Sequence, residues 1–164
     1  MCSTQLSATK MEEFNMNLFT FDDMKKIKRE TLGNLVPLEL FRSVRLIGMY
    51  QGLPMKGKNT TITVGREIGK SMPVQSIEDV LTLFEELKIG IPKIIEKTDN
   101  KMHIAIEDCF CEGLPVNEGN MVCDLEGAIL EGALSKIYDG KISIREVKCN
   151  VNGDENCEYI INFS

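Results

Sequence analysis

Three cysteines and one glutamate in the last third of the chain constrain its fold more than any other feature. Cys123, Cys149 and Cys157 come from separate segments, and Glu146 stands three residues before the second of them. Together, three thiolates and one carboxylate form a plausible four-ligand shell for zinc, and a shell with four protein ligands is structural rather than catalytic. The alternative is that these cysteines are ordinary small buried residues. The spacing contains no CxxC pair and leaves both interpretations open.

The spacing of these residues also places demands on the local structure. Cys123 is expected in the first turn of a helix, where free N–H groups and the helix dipole favour a thiolate. Cys149 would end one strand of a hairpin, and Cys157 would begin the next. Residues three apart in a flat strand point to opposite faces of the sheet. If Glu146 and Cys149 bind one ion, the strand must therefore bulge or bend between them, at residues 147–148.

The rest of the chain predicts an α+β domain, in which an antiparallel sheet built from hairpins packs against about four helices. Apolar residues at helical spacing and capping signals predict the helices, and alternating patterns around polar turns predict the strands. Residues 57–61 are expected to form a loop and a cap before the second helix. The predicted helices span residues 37–51, 62–72, 76–89 and 120–138, and the predicted strands span residues 92–97, 102–110, 141–149 and 157–163.

Two glycines and the only histidine raise separate questions. Gly65 and Gly69 lie four apart in the second predicted helix, and each costs about 1 kcal/mol relative to alanine. A close approach on that face is therefore expected, either by a neighbouring helix, which is the simpler explanation, or by a ligand. His103 is expected on the more polar face of its strand, and no partner that would make it a general base is visible in the sequence.

Length and charge narrow the class of protein. The chain has 164 residues, enough for one domain, and a net charge of −6, which argues against a nucleic-acid partner. The N-terminus does not resemble a signal peptide, and no apolar stretch approaches the roughly 20 residues of a membrane-spanning helix. We therefore expect a cytoplasmic protein without a membrane partner, whose six cysteines are thiols or metal ligands. Residues 1–20 are predicted to be a flexible tail, and residues 21–164 a single ligand-binding domain with the zinc site in its C-terminal part.

One segment carries a family resemblance. The sequence CDLEGAILEGALSKIYDGKISIREVKC, followed by GDENC, resembles the end of the 4-vinyl reductase-type domain, also called the hydrocarbon-binding domain, which occurs as a free-standing protein in archaea. The matching features are a cysteine that opens a helix, a Gly-Ala pair within it, and the REVKC and GDENC motifs. The resemblance is specific over residues 102–163 and loose over residues 30–100.

The resemblance implies a ligand set, a fold and an assembly. Zinc-binding members of the family use a cysteine, a glutamate and two further cysteines at this spacing, which correspond to Cys123, Glu146, Cys149 and Cys157. The implied fold is similar to that of Golgi transport-particle subunits and haem nitric-oxide sensor domains. Family members commonly form homodimers, so a homodimer is implied here.

This chain departs from the aromatic-sensing members in carrying two extra thiols, Cys109 and Cys111. We interpret them as spare core or loop thiols, because most thiols outside an electropositive site are inert. A redox pair and alternative metal ligands are the other possibilities for this C-x-C pair.

These features favour a binding domain over an enzyme. The expected function is to bind a hydrophobic or aromatic, hydrocarbon-like small molecule, as a sensor or carrier, with a structural zinc site. No catalytic residue is predicted, since the chain has no nucleotide-binding motif and no convincing acid–base pair. The alternatives are a reductase of a vinyl group on a tetrapyrrole-like substrate and a protein-interaction scaffold. The residues predicted to line the pocket, each of which could equally be core, are Met49, Tyr50, Ile68, Met72, Phe84, Ile106 and Phe110.

Overall fold

The computed structural model describes residues 20–26, 29–53 and 57–164, so the predicted tail lies outside the described residues except for Thr20. The α-helices are α1 (Phe21–Met24), α2 (Leu38–Arg42), α3 (Lys58–Ser71), α4 (Ile77–Glu86) and α5 (Asp124–Leu134). Helix α2 continues into a π-helical segment, Ser43–Gln51, and a single 3-10 turn covers Asn150–Asn152. The strands are β1 (Ile91–Lys97), β2 (Lys101–Glu107), β3 (Ile142–Lys148) and β4 (Cys157–Phe163).

The four strands form one antiparallel sheet in the order β1-β2-β4-β3. Each predicted hairpin supplies two neighbouring strands, and β2 pairs with β4 to join the two hairpins. Met102, Ile104 and Ile106 of β2 are buried on one face, as their alternation predicts. On the opposite face, Nε2 of His103 lies 2.8 Å from Oε2 of Glu158, which supplies the partner that the sequence pattern did not reveal.

Helix α5 lies at the centre of the domain. Nine of its eleven residues are buried, which is typical of a helix covered on all sides. On one side the ring of Tyr159 from β4 lies against Gly127; on the other, α3 packs closely along α5. A Cβ atom at Gly65 would lie 2.6 Å from Cβ of Ala128, and one at Gly69 would overlap the backbone of α5. The close approach expected at these two glycines is therefore that of a neighbouring helix.

Three predicted boundaries were wrong. Residues 58–61 belong to α3, so the predicted loop and cap are helical, and α3 begins after Gly57, whose φ of +58° suits a chain reversal. Helix α5 begins at Asp124 instead of near Asn120, and Cys123 occupies its N-cap position rather than its first turn. The same helix ends at Leu134, four residues before the predicted end at Tyr138. Polar residues that could cap a helix mark several possible starts, and tertiary contacts select among them.

The predicted distortion of β3 is confirmed. Glu146 pairs with Tyr159 and Lys148 pairs with Glu158, so two residues of β3 advance against one of β4. This bulge at Val147 returns the chain to the inner face one residue later than regular alternation would. Separately, no helix in the described part of the chain is long and apolar enough to cross a membrane.

Candidate functional site

Five buried cysteines lie close together where β2, α5 and the β3–β4 hairpin meet. They form the cysteine cluster, and none of them is in a disulfide. The sixth cysteine of the chain, Cys2, lies outside the described residues. The members of the cysteine cluster are Cys109, Cys111, Cys123, Cys149 and Cys157.

The four ligands expected from the sequence come together in this cluster. Cys123, Glu146, Cys149 and Cys157 each offer one ligand atom, and these atoms all lie within 4.8 Å of one another. We call this group the carboxylate site. The Sγ atom of Cys123 lies 4.0 Å from that of Cys149 and 3.7 Å from that of Cys157. Two thiolates bound to one tetrahedral zinc at about 2.3 Å lie about 3.8 Å apart, so the cluster could hold a metal ion.

The carboxylate of Glu146 shows how well a cation would fit. Oε2 accepts a hydrogen bond from the backbone N–H of Cys123 at 3.2 Å, whereas Oε1 is buried without a hydrogen-bond partner. Burial raises the pKa of Glu146 to about 10, and the proximity of Cys149 adds to the rise. A buried carboxyl group with an unsatisfied oxygen beside several thiols is unfavourable by itself, and a bound cation would stabilise its ionised form. The donor set therefore fits a metal ion.

The thiols influence one another's ionisation. Hydrogen bonds from Cys111, Cys123 and Cys157 lower the pKa of Cys149. The corresponding contacts, with Cys109 first, raise the pKa of Cys123, because a second thiolate would face the first across a few ångströms. Thiolates packed this closely repel one another unless a cation lies between them.

Two backbone features hold the thiols in place. The hydroxyl of Tyr159 donates to the carbonyl oxygen of Cys123 at 2.9 Å, which fixes the start of α5 over the sheet. Between β3 and β4, the N–H of Cys149 donates to Oδ2 of Asp154 at 2.9 Å, and Gly153 adopts a φ of +98° that favours glycine. This tight turn carries Cys149 and Cys157 to the same end of the cluster.

Cys109 and Cys111, which the sequence pattern suggested were spare thiols, belong to the cluster. Their Sγ atoms lie 3.8 Å from Cys123 and 3.3 Å from Cys157, respectively. Cys109, Cys111, Cys123 and Cys157 form a second group whose ligand atoms all lie within 4.8 Å of one another, which we call the thiolate site. The C-x-C spacing directly after a strand was the only sequence signal for this arrangement. Oδ1 of Asn150 contacts both Cys111 and Cys157, at 3.5 and 3.2 Å.

A cavity of about 840 Å³ adjoins the cluster, and Cys109 lies in its wall. Its volume falls in the range of small-molecule pockets, roughly 300–1,000 Å³. Lys88 and Asp108, which have φ values of 58° and 48°, also line it and are the only non-glycine residues with positive φ in the described ranges. The main apolar residues of the wall come from α2, α3, α5 and two loops: Leu38, Phe41, Ile68, Met72, Ile89, Phe110, Leu125 and Ile129.

Three of the seven residues predicted to line a pocket lie in the wall of this cavity: Ile68, Met72 and Phe110. Phe84 and Ile106 are fully buried in the core instead. Met49 and Tyr50 are half-buried on the π-helical segment and do not line the cavity. The edge-to-face contact of Phe41 with Phe110, with ring centroids 4.9 Å apart, closes the side of the cavity next to α2.

A buried ion pair separates the cavity from the start of α5. Arg45 of the π-helical segment pairs with Glu126 of α5, and only 2% and 0% of the two residues are exposed. Arg45 also donates to the carbonyl oxygen of Val122 at 2.5 Å, and its guanidinium lies 4.6 Å from the ring centre of Phe110. Burial raises the pKa of Glu126 to about 8, although Arg45 opposes the rise. The pair therefore ties the N-terminal helices to the residue that precedes Cys123.

The fold and the site define a class: an α+β domain whose C-terminal hairpin closes over a buried thiol cluster beside an apolar cavity. The family model of the 4-vinyl reductase domain matches residues 102–163, from β2 through β4. An uncharacterized protein of Methanocaldococcus jannaschii is 31% identical over 138 residues, which cover 80% of this chain and 78% of that protein. The chain belongs to the 4-vinyl reductase domain family, as the resemblance at its C-terminal end implied.

Two solved structures share the fold. A vinyl-4-reductase family protein from Methanocaldococcus jannaschii superposes with a TM-score of 0.61 at 20% identity, covering 87% of each chain. The phenol-responsive sensory domain of the transcription activator PoxR, solved with phenol, superposes with a TM-score of 0.58 at 16% identity, covering 79% of this chain and 75% of that one. The predicted α+β class is confirmed.

The buried ion pair yields a test of how the N-terminal helices are held. Replacing Arg45 by Met leaves Glu126 buried without its partner, and we expect a loss of about 3–5 kcal/mol in the free energy of unfolding. The double variant Arg45→Met/Glu126→Leu removes both charges and should recover most of that loss. Urea denaturation of the two single variants and the double variant measures the coupling. Additive costs would show that the two charges do not depend on each other.

Proposed function

We propose that this domain binds an apolar or aromatic small molecule in the cavity beside the cysteine cluster, and that a zinc ion in the carboxylate site stiffens the wall of that cavity. The observation that carries the proposal is the shared wall: Cys109 lines the cavity, and its Sγ atom lies 3.8 Å from that of Cys123. A ligand in the cavity would thus lie next to the element that the metal ion fixes, as suits a sensor or carrier.

The chemistry of the cavity favours an apolar ligand with a small polar group. Aliphatic and aromatic side chains form most of the wall, and Arg42, Lys88 and Asp108 are among the few charged residues on it. Arg42 donates to the carbonyl oxygens of Phe110 and Glu112, at 2.6 and 2.7 Å, so its guanidinium is already engaged. Lys88 and Asp108 are then the candidates for orienting a hydroxyl group, because a few placed polar groups usually fix the ligand in such pockets. The phenol-responsive domain of the same fold is consistent with a ligand of this size and polarity.

Zinc is the metal that best suits the carboxylate site. Thiolate ligands select zinc over calcium or magnesium, and a carboxylate is an accepted fourth ligand. When bound, the ion would supply a crosslink among the start of α5, the end of β3 and the start of β4. The residues themselves make the site rigid: Tyr159 holds Cys123, and the Asp154 turn holds Cys149. With all four positions filled by protein, we expect no metal-bound water and no hydrolytic role.

The metal prediction concerns Cys149, which belongs to the carboxylate site only. Cys149→Ser should remove one zinc ion per chain and lower the midpoint of thermal unfolding by about 10 °C or more, because binding of a structural metal is coupled to folding. Metal analysis and amide hydrogen exchange of the β3–β4 hairpin are the measurements. Ser143→Ala, on an exposed position of β3, is the control and should change neither. Wild-type protein purified without any bound metal would contradict the zinc assignment.

The cavity prediction compares two isoleucines on α3. Ile68 lines the cavity, and Ile62 lies on the same helix outside its wall. Ile68→Trp should fill the cavity and weaken binding at least about tenfold, which corresponds to about 1.4 kcal/mol. Ile62→Trp should leave binding unchanged. Calorimetric titration with phenol and with naphthalene, together with mass spectrometry of an organic extract, measures occupancy. If the cavity is empty in the extract and neither probe binds, the proposed function is wrong.

We also propose that two copies of this chain pair through the helix formed by α2 and its π-helical extension. Leu40, Val44 and Ile47 lie on one face at helical spacing and are 54%, 56% and 61% exposed, and an apolar stripe of this kind often marks an interface. Val44→Asp should convert a dimer to a monomer in sedimentation equilibrium. Ile95→Asp on the edge strand β1, where Ile95 is 53% exposed, is the matched control. If only the β1 variant dissociates the dimer, the interface lies at the sheet edge instead.

A further inference from the structure

The cysteine cluster contains more ligands than one metal ion can use. The carboxylate site and the thiolate site each present four ligand atoms within 4.8 Å of one another, and both include Cys123 and Cys157. A single four-coordinate ion in either site would leave two potential ligands of the other site unused at van der Waals distance. The arrangement is that of two four-ligand shells that share one edge.

We propose that the cluster binds two divalent thiophilic metal ions, with Cys123 and Cys157 as bridging thiolates between the carboxylate site and the thiolate site. The inference rests on the proposed zinc ion in the carboxylate site and adds a second zinc ion. Each ion would have two terminal ligands of its own and two shared ones. All six ligands of the cluster are then used.

The sulfur–sulfur distances agree with this arrangement. Thiolates bound to one tetrahedral zinc lie about 3.8 Å apart. The shared pair, Cys123 and Cys157, is 3.7 Å apart, and the terminal thiols Cys109 and Cys149 lie 3.8 and 4.0 Å from Cys123. Cys111 lies 3.3 Å from Cys157, which is far longer than the roughly 2.05 Å of a disulfide. Every sulfur therefore already stands near the separation that a shared ion imposes.

The charges favour filling both sites. The two positive charges of the second ion are balanced by the two further thiolates that it needs, Cys109 and Cys111, so the buried cluster gains no net charge. The surroundings also moderate the negative charge that remains: the first N–H groups of α5 point toward the cluster, and the guanidinium of Arg45 binds the carbonyl oxygen of Val122.

The loop that carries the extra thiols is built to present them. The backbone turns back sharply after β2, with Asp108 at a φ of 48°, and the N–H of Glu112 donates to the carbonyl oxygen of Cys109 at 2.7 Å. Asn150, whose Oδ1 contacts Cys111 and Cys157, accepts from their S–H groups. Metal binding removes those protons, so we expect the Asn150 amide to turn and donate to the sulfurs instead.

Metal content of the whole chain, purified without added metal, tests the proposal. Native mass spectrometry and elemental analysis should find two zinc ions per chain in the wild type. Cys109→Ser and Cys111→Ser should each lower the content to one ion, as should the matched variant Cys149→Ser, which removes a terminal ligand from the other site. Circular dichroism and the thermal midpoint check that each variant is folded.

The outcomes separate this inference from the proposed function. One zinc ion in the wild type, unaffected by Cys109→Ser and Cys111→Ser, overturns the second ion and leaves the carboxylate site intact. No metal in the wild type overturns both. Iron with inorganic sulfide in place of zinc overturns the two-ion arrangement, because sulfide would then be the bridging ligand.

Titration of the protein with Co²⁺ tests the bridging itself. If the two ions share thiolates, the second equivalent should diminish the electron paramagnetic resonance signal of the first, because bridged Co²⁺ ions couple magnetically. A signal that doubles with the second equivalent would show two independent sites and overturn the shared-edge arrangement.

Discussion

The convergence of buried sulfur atoms on the start of α5 is the constraint from which the rest of the C-terminal half follows. Cys123 occupies the N-cap of a helix that is covered on all sides, and its backbone receives the hydroxyl of Tyr159 and donates to Glu146. The sheet and the helix are thus held at one point. Thiols and a carboxyl group at this density are not stable neighbours without a cation, so the domain has arranged its core around an electrostatic requirement as well as around hydrophobic contact.

How much of this could be predicted depended on whether the signal was local. The bulge in β3 followed from the odd spacing of Glu146 and Cys149 alone, and both hairpins followed from alternation and turn residues. The start of α5 was misplaced at Asn120 because a capping residue marks a possible helix start, whereas burial of Cys123 selects the actual one. Cys109 and Cys111 were underestimated because the thiols they meet in Cys123 and Cys157 are 14 and 46 residues away along the chain, and no pattern in a single sequence carries that pairing.

The ion pair of Arg45 with Glu126 was beyond prediction for the same reason. An arginine in an apolar helix reads as a solvent-exposed charge, and Glu126 reads as a favourable acidic residue in a first turn. Only the packing of the π-helical segment onto α5 buries both. Their burial is costly and is offset by contacts that a surface position would not need: the Val122 carbonyl and the Phe110 ring.

The cavity and the cluster share residues, and this has a physical consequence for how a ligand would be sensed. Phe110 lies between Cys109 and Cys111, its ring faces both Phe41 and Arg45, and its carbonyl oxygen is bound by Arg42. A molecule that enters the cavity must contact this ring or displace it. Because both neighbouring thiols belong to the cluster, movement of Phe110 is opposed wherever those thiols are anchored. Metal binding at Cys109 and Cys111 would therefore set the stiffness of the cavity wall, and a ligand and a metal ion would influence each other's affinity reciprocally.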